Sequence, residues 1–372
     1  MTIPASGPIS LIDVQTEFGG QNPINLGDYY AGGLYVGAGT TGTYGPVPSS
    51  GPISLKDFYG TSRLTTTVNY IATQYTSGQY ITSADGITWT ARNWPDATIW
   101  LWVARGDTKW VVFPDTGGTA LYSADGINWT STPLPFSASW STVGYTNGRF
   151  VAVAFVGNTG GTQAVYSDDG INWISTSLPF SYWSRTSGAN GAYIVSTGVN
   201  SGNVVGRSID GGISWSTPTV STIPMFWGNA AYGNGVWVLT SFYDQYGNGT
   251  TLNARSTDNG ASWTVGGAYP SNGNWYSIAY TQTRFVSVKL RQNAFGGDSS
   301  EAAYSNDGGL TWIASSMPAS SQWVGTSYAK PFSNVVSIGL GTTLGAYSSN
   351  GGVTWSATTL PIAGNWNGIA AK

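Results

Sequence analysis

The stretch Tyr122-Ser-Ala-Asp-Gly-Ile-Asn-Trp129 decides the fold, because its core is written seven times along the 372-residue chain. The copies occupy residues 83–89, 123–129, 167–173, 208–215, 256–263, 305–312 and 348–355. Each runs Ser-x-Asp, then one or two turn residues, then x-x-Trp; only the last places Asn350 where aspartate is expected. The closing tryptophans recur every 40 to 49 residues, a period that marks stacked supersecondary units. Asp85, Asp125, Asp169, Asp210, Asp258, Asp307 and Asn350 therefore read as turn-makers. Their side chains accept backbone N–H groups, the glycine takes positive φ, and the tryptophan packs beneath.

Outward from each turn the order of signals is constant. A tryptophan opens a short run, as in Trp140-Ser-Thr-Val-Gly-Tyr145, and a turn such as Asn147-Gly148 leads into the alternating Phe150-Val-Ala-Val-Ala154. Ala164-Val-Tyr-Ser167 and Ile171-Asn-Trp-Ile174 then flank the Asp turn. Four short antiparallel strands per unit, repeated at this period, predict a β-propeller. Only two strands, at 67–72 and 79–82, precede the first Asp turn, whereas Trp366-Asn-Gly-Ile-Ala370 is an opening strand with no unit after it. The expectation is an all-β fold over residues 64–372: a seven-bladed propeller of four-stranded antiparallel blades, closed by the C-terminal strand.

The repeated turn resembles the Asp-box, or bacterial neuraminidase repeat, of sialidases, sortilin-type receptors and photosystem-assembly propellers. The copies at Ser208, Ser256, Ser305 and Ser348 have that family's length, and those at Ser83, Ser123 and Ser167 are one residue shorter. The resemblance implies a hairpin turn between the third and fourth strands of each blade. It implies no reaction, since the box is a folding device.

Composition narrows the function. Charged residues are 8% of the chain, aromatics 14%, and there are 52 glycines and a net charge of −3. A nucleic-acid partner would need a basic face, and no apolar run approaches a membrane span. The start, Met1-Thr-Ile-Pro-Ala-Ser6, lacks the basic and apolar regions of a signal peptide. Without cysteine or histidine there are no disulfides, no Ser-His-Asp catalysis and no His- or Cys-ligated metal. No cofactor or metal is expected.

Residues 1–63 carry a different echo. Pro4-Ala-Ser-Gly-Pro-Ile-Ser-Leu-Ile-Asp13 returns as Pro48-Ser-Ser-Gly-Pro-Ile-Ser-Leu-Lys-Asp57, with Asn22-Pro-Ile-Asn-Leu-Gly-Asp28 a partial third copy. A Ser or Asn followed three residues later by Asp predicts short capped helices, one running to Phe18 and a shorter one ending near Gly60. So few large apolar side chains predict a poor independent core, and hence docking or homo-oligomerisation. Ile9-Ser-Leu-Ile-Asp-Val-Gln-Thr-Glu-Phe-Gly19, Ile24-Asn-Leu-Gly-Asp-Tyr-Tyr30 and Ile53-Ser-Leu-Lys-Asp-Phe-Tyr-Gly60 are together similar to the N-terminal segment of tail and other virion proteins of tailed bacteriophages. Ile12 and Lys56 depart from that pattern, which usually has a small polar residue there. The resemblance implies a virion component attached to the tail through residues 1–63.

Within the propeller, features present in every blade read as architecture and those present in some read as function. Thus Trp100, Trp140, Trp183, Trp227, Trp275, Trp323 and Trp366 are expected between blades rather than as a stacking platform. The loops on the face opposite the Asp turns supply the candidate ligand-binding residues: Trp94, Asp96, Phe136, Phe180, Tyr182, Tyr243, Asp244, Tyr246 and Phe295. Aromatics interleaved with short polar groups suit a saccharide, rings covering sugar faces and amides or carboxylates meeting hydroxyls; the alternative is that they cap the core. The low charge favours neutral sugar. Asp244 with Asn248 falls short of a full calcium loop. A sialidase-like activity would need, by resemblance, an arginine triad, a Tyr–Glu pair and an Arg-Ile-Pro motif. The last is absent, and Glu301 is the propeller's single glutamate. Ordinary glycosidases need two carboxylates about the scissile bond; Asp96 with Asp244 is the pair left open. The expectation is a non-enzymatic phage tail protein, extracellular when acting, that binds host cell-surface polysaccharide. The alternatives are a purely architectural tail component and a glycan-cleaving enzyme.

Overall fold

The structure, a computed structural model, describes residues 3–18, 25–31, 36, 40–61, 68–75, 78–155, 162–179, 183–197, 203–221, 225–244, 246–292, 296–329 and 334–372, without the side chains of 183 and 184. The chain forms two compact units, Met1–Thr67 and Val68–Lys372. No described helix is long and apolar enough to cross a membrane.

In the first unit the helix Leu11–Phe18 follows Ser10, whose backbone N–H donates to Asp13 Oδ2 at 2.6 Å. Asn25 Oδ1 caps the 3-10 turn Leu26–Tyr29 by accepting from Gly27 N–H. The Ser54 N–H donates to Asp57 Oδ2 at 2.7 Å before the turn Leu55–Phe58. These contacts satisfy N–H groups that a helix start leaves free. The expectation of a poor core is corrected: Ile3, Val14, Phe18, Tyr29, Val36, Val47 and Phe58 are buried together. The three capped turns each contribute one aromatic, and Phe58 meets both Phe18 and Tyr29 edge-on.

The second unit is all antiparallel sheet. Strands such as Arg149–Ala154 and Val335–Gly339 form because β-branched, aromatic and small residues fill buried positions on both faces. Four sheets have four strands: Met225–Gly233 to Thr264–Val265, Asn274–Tyr280 to Ile313–Ser321, Trp323–Tyr328 to Ser356–Gly364, and one joining Trp366–Ala371 to Tyr70–Gln74, Gln79–Ser83 and Trp89–Asn93. The others depart from a uniform four-stranded plan. Thr130–Thr146 runs unbroken for 17 residues and joins its neighbours into a seven-stranded sheet. Another has three strands, because the outer segment meets it only through isolated bridges, Ser216 to Arg207 and Thr219 to Val204. Pro218 lies between those bridges and has no N–H for a ladder.

The seven Trp-opened strands pack side by side in chain order, and Trp366–Ala371 also lies beside Trp100–Arg105. Trp100, Trp140, Trp227, Trp275, Trp323 and Trp366 are 0–2% exposed; the Trp183 side chain lies outside the described residues. A buried tryptophan removes roughly 200 Å² from water, so these rings dominate the core between sheets.

The Ser-x-Asp turns share one hydrogen-bond plan. Ser123 Oγ donates to Asp125 Oδ1 and accepts from Gly126 N–H, both at 2.8 Å, while Asp125 Oδ1 accepts from the Ile127 and Asn128 N–H groups. In the short copies one glycine carries positive φ, as at Gly126; in the long copies two successive residues do, as at Asn259 and Gly260. Asn350 preserves the plan with a neutral side chain, accepting from Ser348 Oγ and from Thr354 N–H. Several turns are also held by a side chain from a neighbouring hairpin: Thr132 Oγ1 donates to Ile171 O, Thr176 Oγ1 to Gly212 O, and Arg255 Nε to Gly308 O.

Partial burial disfavours the charged form of Asp258, but the hydroxyl and N–H of Ser262 and the Ser256 hydroxyl outweigh it and hold its pKa down to about 2. Asp169 is likewise held to about 2 against burial by the N–H groups of Asn172 and Ile171. The folded pKa lies below the unfolded value of 3.8, so these contacts stabilise fully above pH 4 and are lost as pH falls toward 2. Thermal unfolding is therefore expected to show its steepest fall in Tm between pH 4 and 2. Asp258→Ala should cost about 1–2 kcal/mol at pH 7, and Asp258→Asn distinctly less, as Asn350 illustrates. Equal costs for the two replacements would show that charge, not the accepted hydrogen bonds, holds the turn.

Candidate functional site

In each of the seven Trp-opened strands the ladder to the next strand slips within two residues of the tryptophan, as between Trp100 and Trp102, Trp183 and Arg185, and Trp275 and Ser277. Such bulges re-aim side chains and recur beside functional sites. All seven strands contribute to the lining of one inner cavity of about 200 Å³. Most of its walls are neutral: Thr142, Thr186, Ser187, Asn229, Ser277, Thr326 and Asn367 stand among small apolar residues. Some of these polar groups stitch one strand to the next, Ser187 Oγ accepting from Ala230 N–H and Ser277 Oγ from Thr326 N–H.

Three long side chains divide this cavity from a second. Trp102, Arg185 and Tyr276 line both, and they come from the strands Trp100–Arg105, Trp183–Ala189 and Asn274–Tyr280. The Arg185 guanidinium carbon lies 5.1 Å from the Trp102 ring centroid and 5.0 Å from that of Tyr276, within cation–π range of both. Burial lowers its pKa to about 10, with a smaller opposing influence from Tyr75, so it remains charged at neutral pH.

The outer cavity, of about 380 Å³, is walled by Tyr75, Phe155, Phe226, Phe242 and Tyr243, with Ser139, Ser141 and Asp115 as polar groups. Tyr75, Asp115 and Phe155 directly follow Tyr70–Gln74, Trp110–Pro114 and Arg149–Ala154. The cavity thus opens among loops that follow second strands, at the ends away from the Asp turns. Its volume falls in the range of small-molecule sites, roughly 300–1,000 Å³.

The residues expected in the site divide sharply. Tyr243 lines the outer cavity, its ring 4.6 Å from those of Phe226 and Phe242. Tyr246 is 73% exposed beside a tight turn in which Asp244 Oδ1 accepts from the Tyr246 and Asn248 N–H groups; Asp244 is thereby a turn-maker. Trp94 is corrected to a core residue, 5% exposed and stacked on Tyr80 at 3.9 Å. Asp96 is corrected to a cap, accepting from Thr98 N–H and Trp100 Nε1. Phe136 stacks on the buried Trp140 and belongs to the core. Phe180, Tyr182 and Phe295 lie outside the described residues.

The sequence reading missed Trp102, Arg185 and Tyr276. The available signal was the position just inside each opening tryptophan, where Arg185 is the one charged residue. The open pair Asp96 and Asp244 is not assembled, since each carboxylate serves its own turn. Glu301 is held by Lys289 Nζ at 3.1 Å and by the Ser271 hydroxyl. Among the described residues Asp115 is the one carboxylate lining either cavity. Among the described residues no three carboxylates gather as a metal site.

Solved structures with this arrangement include virginiamycin B lyase from Staphylococcus aureus, 13% identical with a TM-score of 0.55, the match covering 71% of this chain and 85% of that one. YCF48 bound to D1 peptide is 16% identical with a TM-score of 0.51, covering 71% and 82%. Apo AztD from Citrobacter koseri is 11% identical with a TM-score of 0.50, covering 82% and 89%. The fold is a β-propeller. At such identities the likeness carries the propeller fold and no activity. The lyase has a catalytically inactive form in which one histidine is alanine, whereas this chain has no histidine. No protein-family model and no curated protein matches the chain.

Proposed function

We propose that this chain is a saccharide-binding adhesin of a tailed-phage virion, with a seven-bladed propeller of Asp-box type and residues 1–63 attaching it to the tail. The observation that carries the binding reading is the outer cavity: flat rings, two serine hydroxyls, a carboxylate and a guanidinium gathered at the loop end of the propeller. Rings cover the apolar faces of a sugar while the polar groups meet its hydroxyls.

The blade count is supported by the seven Trp-opened strands around one cavity. Thr130–Thr146 reads as the outer strand of one blade continued into the inner strand of the next. Closure is supported by the pairing of Trp366–Ala371 with Tyr70–Gln74. Binding is favoured over catalysis because one carboxylate lines the cavity, where hydrolysis of a glycosidic bond needs two. The attachment role rests on the three virion-like motifs within residues 1–63.

The full-length protein is expected to adsorb to host cells and to their extracted surface polysaccharide. Tyr243→Ala removes a wall of the cavity and should weaken adsorption at least tenfold. Tyr246→Ala, at an exposed position, should weaken it while leaving Tm within about 2 °C of the parent. Adsorption unchanged in the double variant would favour an architectural tail component, and release of free sugar would make the protein an enzyme.

A further inference from the structure

We propose that the partition between the two cavities is an anion site, in which Arg185 receives the carboxylate of an acidic sugar such as a hexuronate. The inference rests on the saccharide-binding reading and replaces the neutral sugar favoured by composition. Its starting point is an arginine without an acid. Among the described residues no carboxylate lies within ion-pair distance of Arg185 and no oxygen accepts from its guanidinium, although two aromatic rings fix its position. Arginine presents its N–H donors in a rigid fork that matches a carboxylate in two-point fashion.

The second observation is a surplus of unpaired donors beside it. Trp102 Nε1 and Asn367 Nδ2 are buried N–H groups with no partner, and the Thr186 and Thr326 hydroxyls are also unpaired. Thr186, Thr326 and Asn367 are each more than nine-tenths buried, and all four residues line the inner cavity, where no described wall residue is acidic. Buried polar groups are normally satisfied. A cavity with one cation, several orphan donors and no acid is complementary to an acceptor-rich anion. One guanidinium without a lysine or a glycine-rich loop suits a single carboxylate better than a phosphate.

The outer cavity indicates what carries that carboxylate. Its aromatic walls accept a flat, partly apolar ring, and Ser139, Ser141 and Asp115 offer partners to hydroxyl groups. A pyranose seated there would point its carboxylate at Arg185, and Asp115 disfavours a second negative charge on the same ring.

The test is calorimetric titration of the full-length protein with a hexuronate trisaccharide and with its methyl ester, which has the same rings and no charge. The acid is expected to bind at least tenfold more tightly than the ester at pH 7 and low salt. That preference should shrink at 0.5 M salt and vanish in Arg185→Gln. Arg185→Lys, which keeps charge but loses the fork, should fall between. Trp102→Phe keeps a ring beside the guanidinium and removes one orphan donor; a severalfold loss for the acid alone is expected. This second variant decides the matter if Arg185→Gln does not fold. Equal binding of acid and ester would overturn the anion site and leave the adhesin reading standing. Arg185-dependent binding of a peptide with a free C-terminal carboxylate, with no saccharide bound, would overturn both.

Discussion

A chain ending at Gly364 is expected to lose cooperative unfolding, with far-UV circular dichroism showing a broad transition and limited proteolysis cutting the first sheet. Trp366–Ala371 pairs with Tyr70–Gln74 along its length, and Lys372 N–H donates to Asn69 O. Removing it strips the ladder from a strand whose five residues are all buried and discards Trp366, 1% exposed. An exposed edge of buried apolar strand is also a template for aggregation. The seam has few substitutes. Tyr70 Oη donates to Asn334 O, Asn334 Nδ2 to Asp85 O, and Thr358 Oγ1 to Ile87 O, linking positions more than 240 residues apart. Each such bond contributes about 1 kcal/mol, far less than a strand and a tryptophan. A truncated protein that melts sharply within a few degrees of the parent would show that the series closes without its last strand.

Glu301→Gln is expected to lower stability by about 3 kcal/mol, a fall in Tm of roughly 4–5 °C in a protein of this size. Lys289 is fully buried, and its ammonium donates to Glu301 Oε1 at 3.1 Å and to Ser271 Oγ at 3.0 Å. Loss of the carboxylate leaves a buried ammonium facing neutral acceptors alone, the amide oxygen and Ser271 Oγ. Glu301 is itself 39% exposed, so solvent screens its own side of the pair and the cost lies with Lys289. The double variant Lys289→Met with Glu301→Gln removes the stranded charge and should recover most of the loss. Burial opposes ionisation of Glu301, but the Ser271 hydroxyl and Lys289 outweigh it and lower its pKa below 4.5. The pair therefore stabilises above pH 4.5 and weakens as pH falls through the lowered value. A double variant no more stable than Glu301→Gln alone would show that the lysine stem, rather than the charge, fills an essential space.

The two tyrosine predictions and the Arg185 titration share a dependence on which loop residues face solvent, and here local sequence was a poor guide. Trp94 and Phe136 sit in stretches of the same aromatic-polar composition as Tyr243, and the structure places Phe136 and Tyr243 within strands. Yet Trp94 stacks on Tyr80 and Phe136 on Trp140, rings that are themselves buried in the core. Asp96 and Asp244 have the same local role, each accepting N–H groups two to four residues on. A carboxylate so placed is a turn device wherever it occurs.

By itself the sequence determined the features whose causes act over a few residues. Ser, Asp (Asn at the last copy) and Gly in fixed order close the same hydrogen-bonded turn, and Ser or Asn with Asp three residues later caps each short helix. The alternation of β-branched and small residues between tryptophans makes the strands, and burial of those tryptophans follows from their size. Only the tertiary structure decided what meets at the centre. Trp102, Arg185 and Tyr276 lie 83 and 91 residues apart in succession, on strands that do not pair with one another. The Trp-opened strands pack side by side around one cavity, and three of them bring these side chains to its boundary with the outer cavity. The turns and tryptophans recur along the chain whereas these three side chains do not, so no repeat in the sequence marks their meeting.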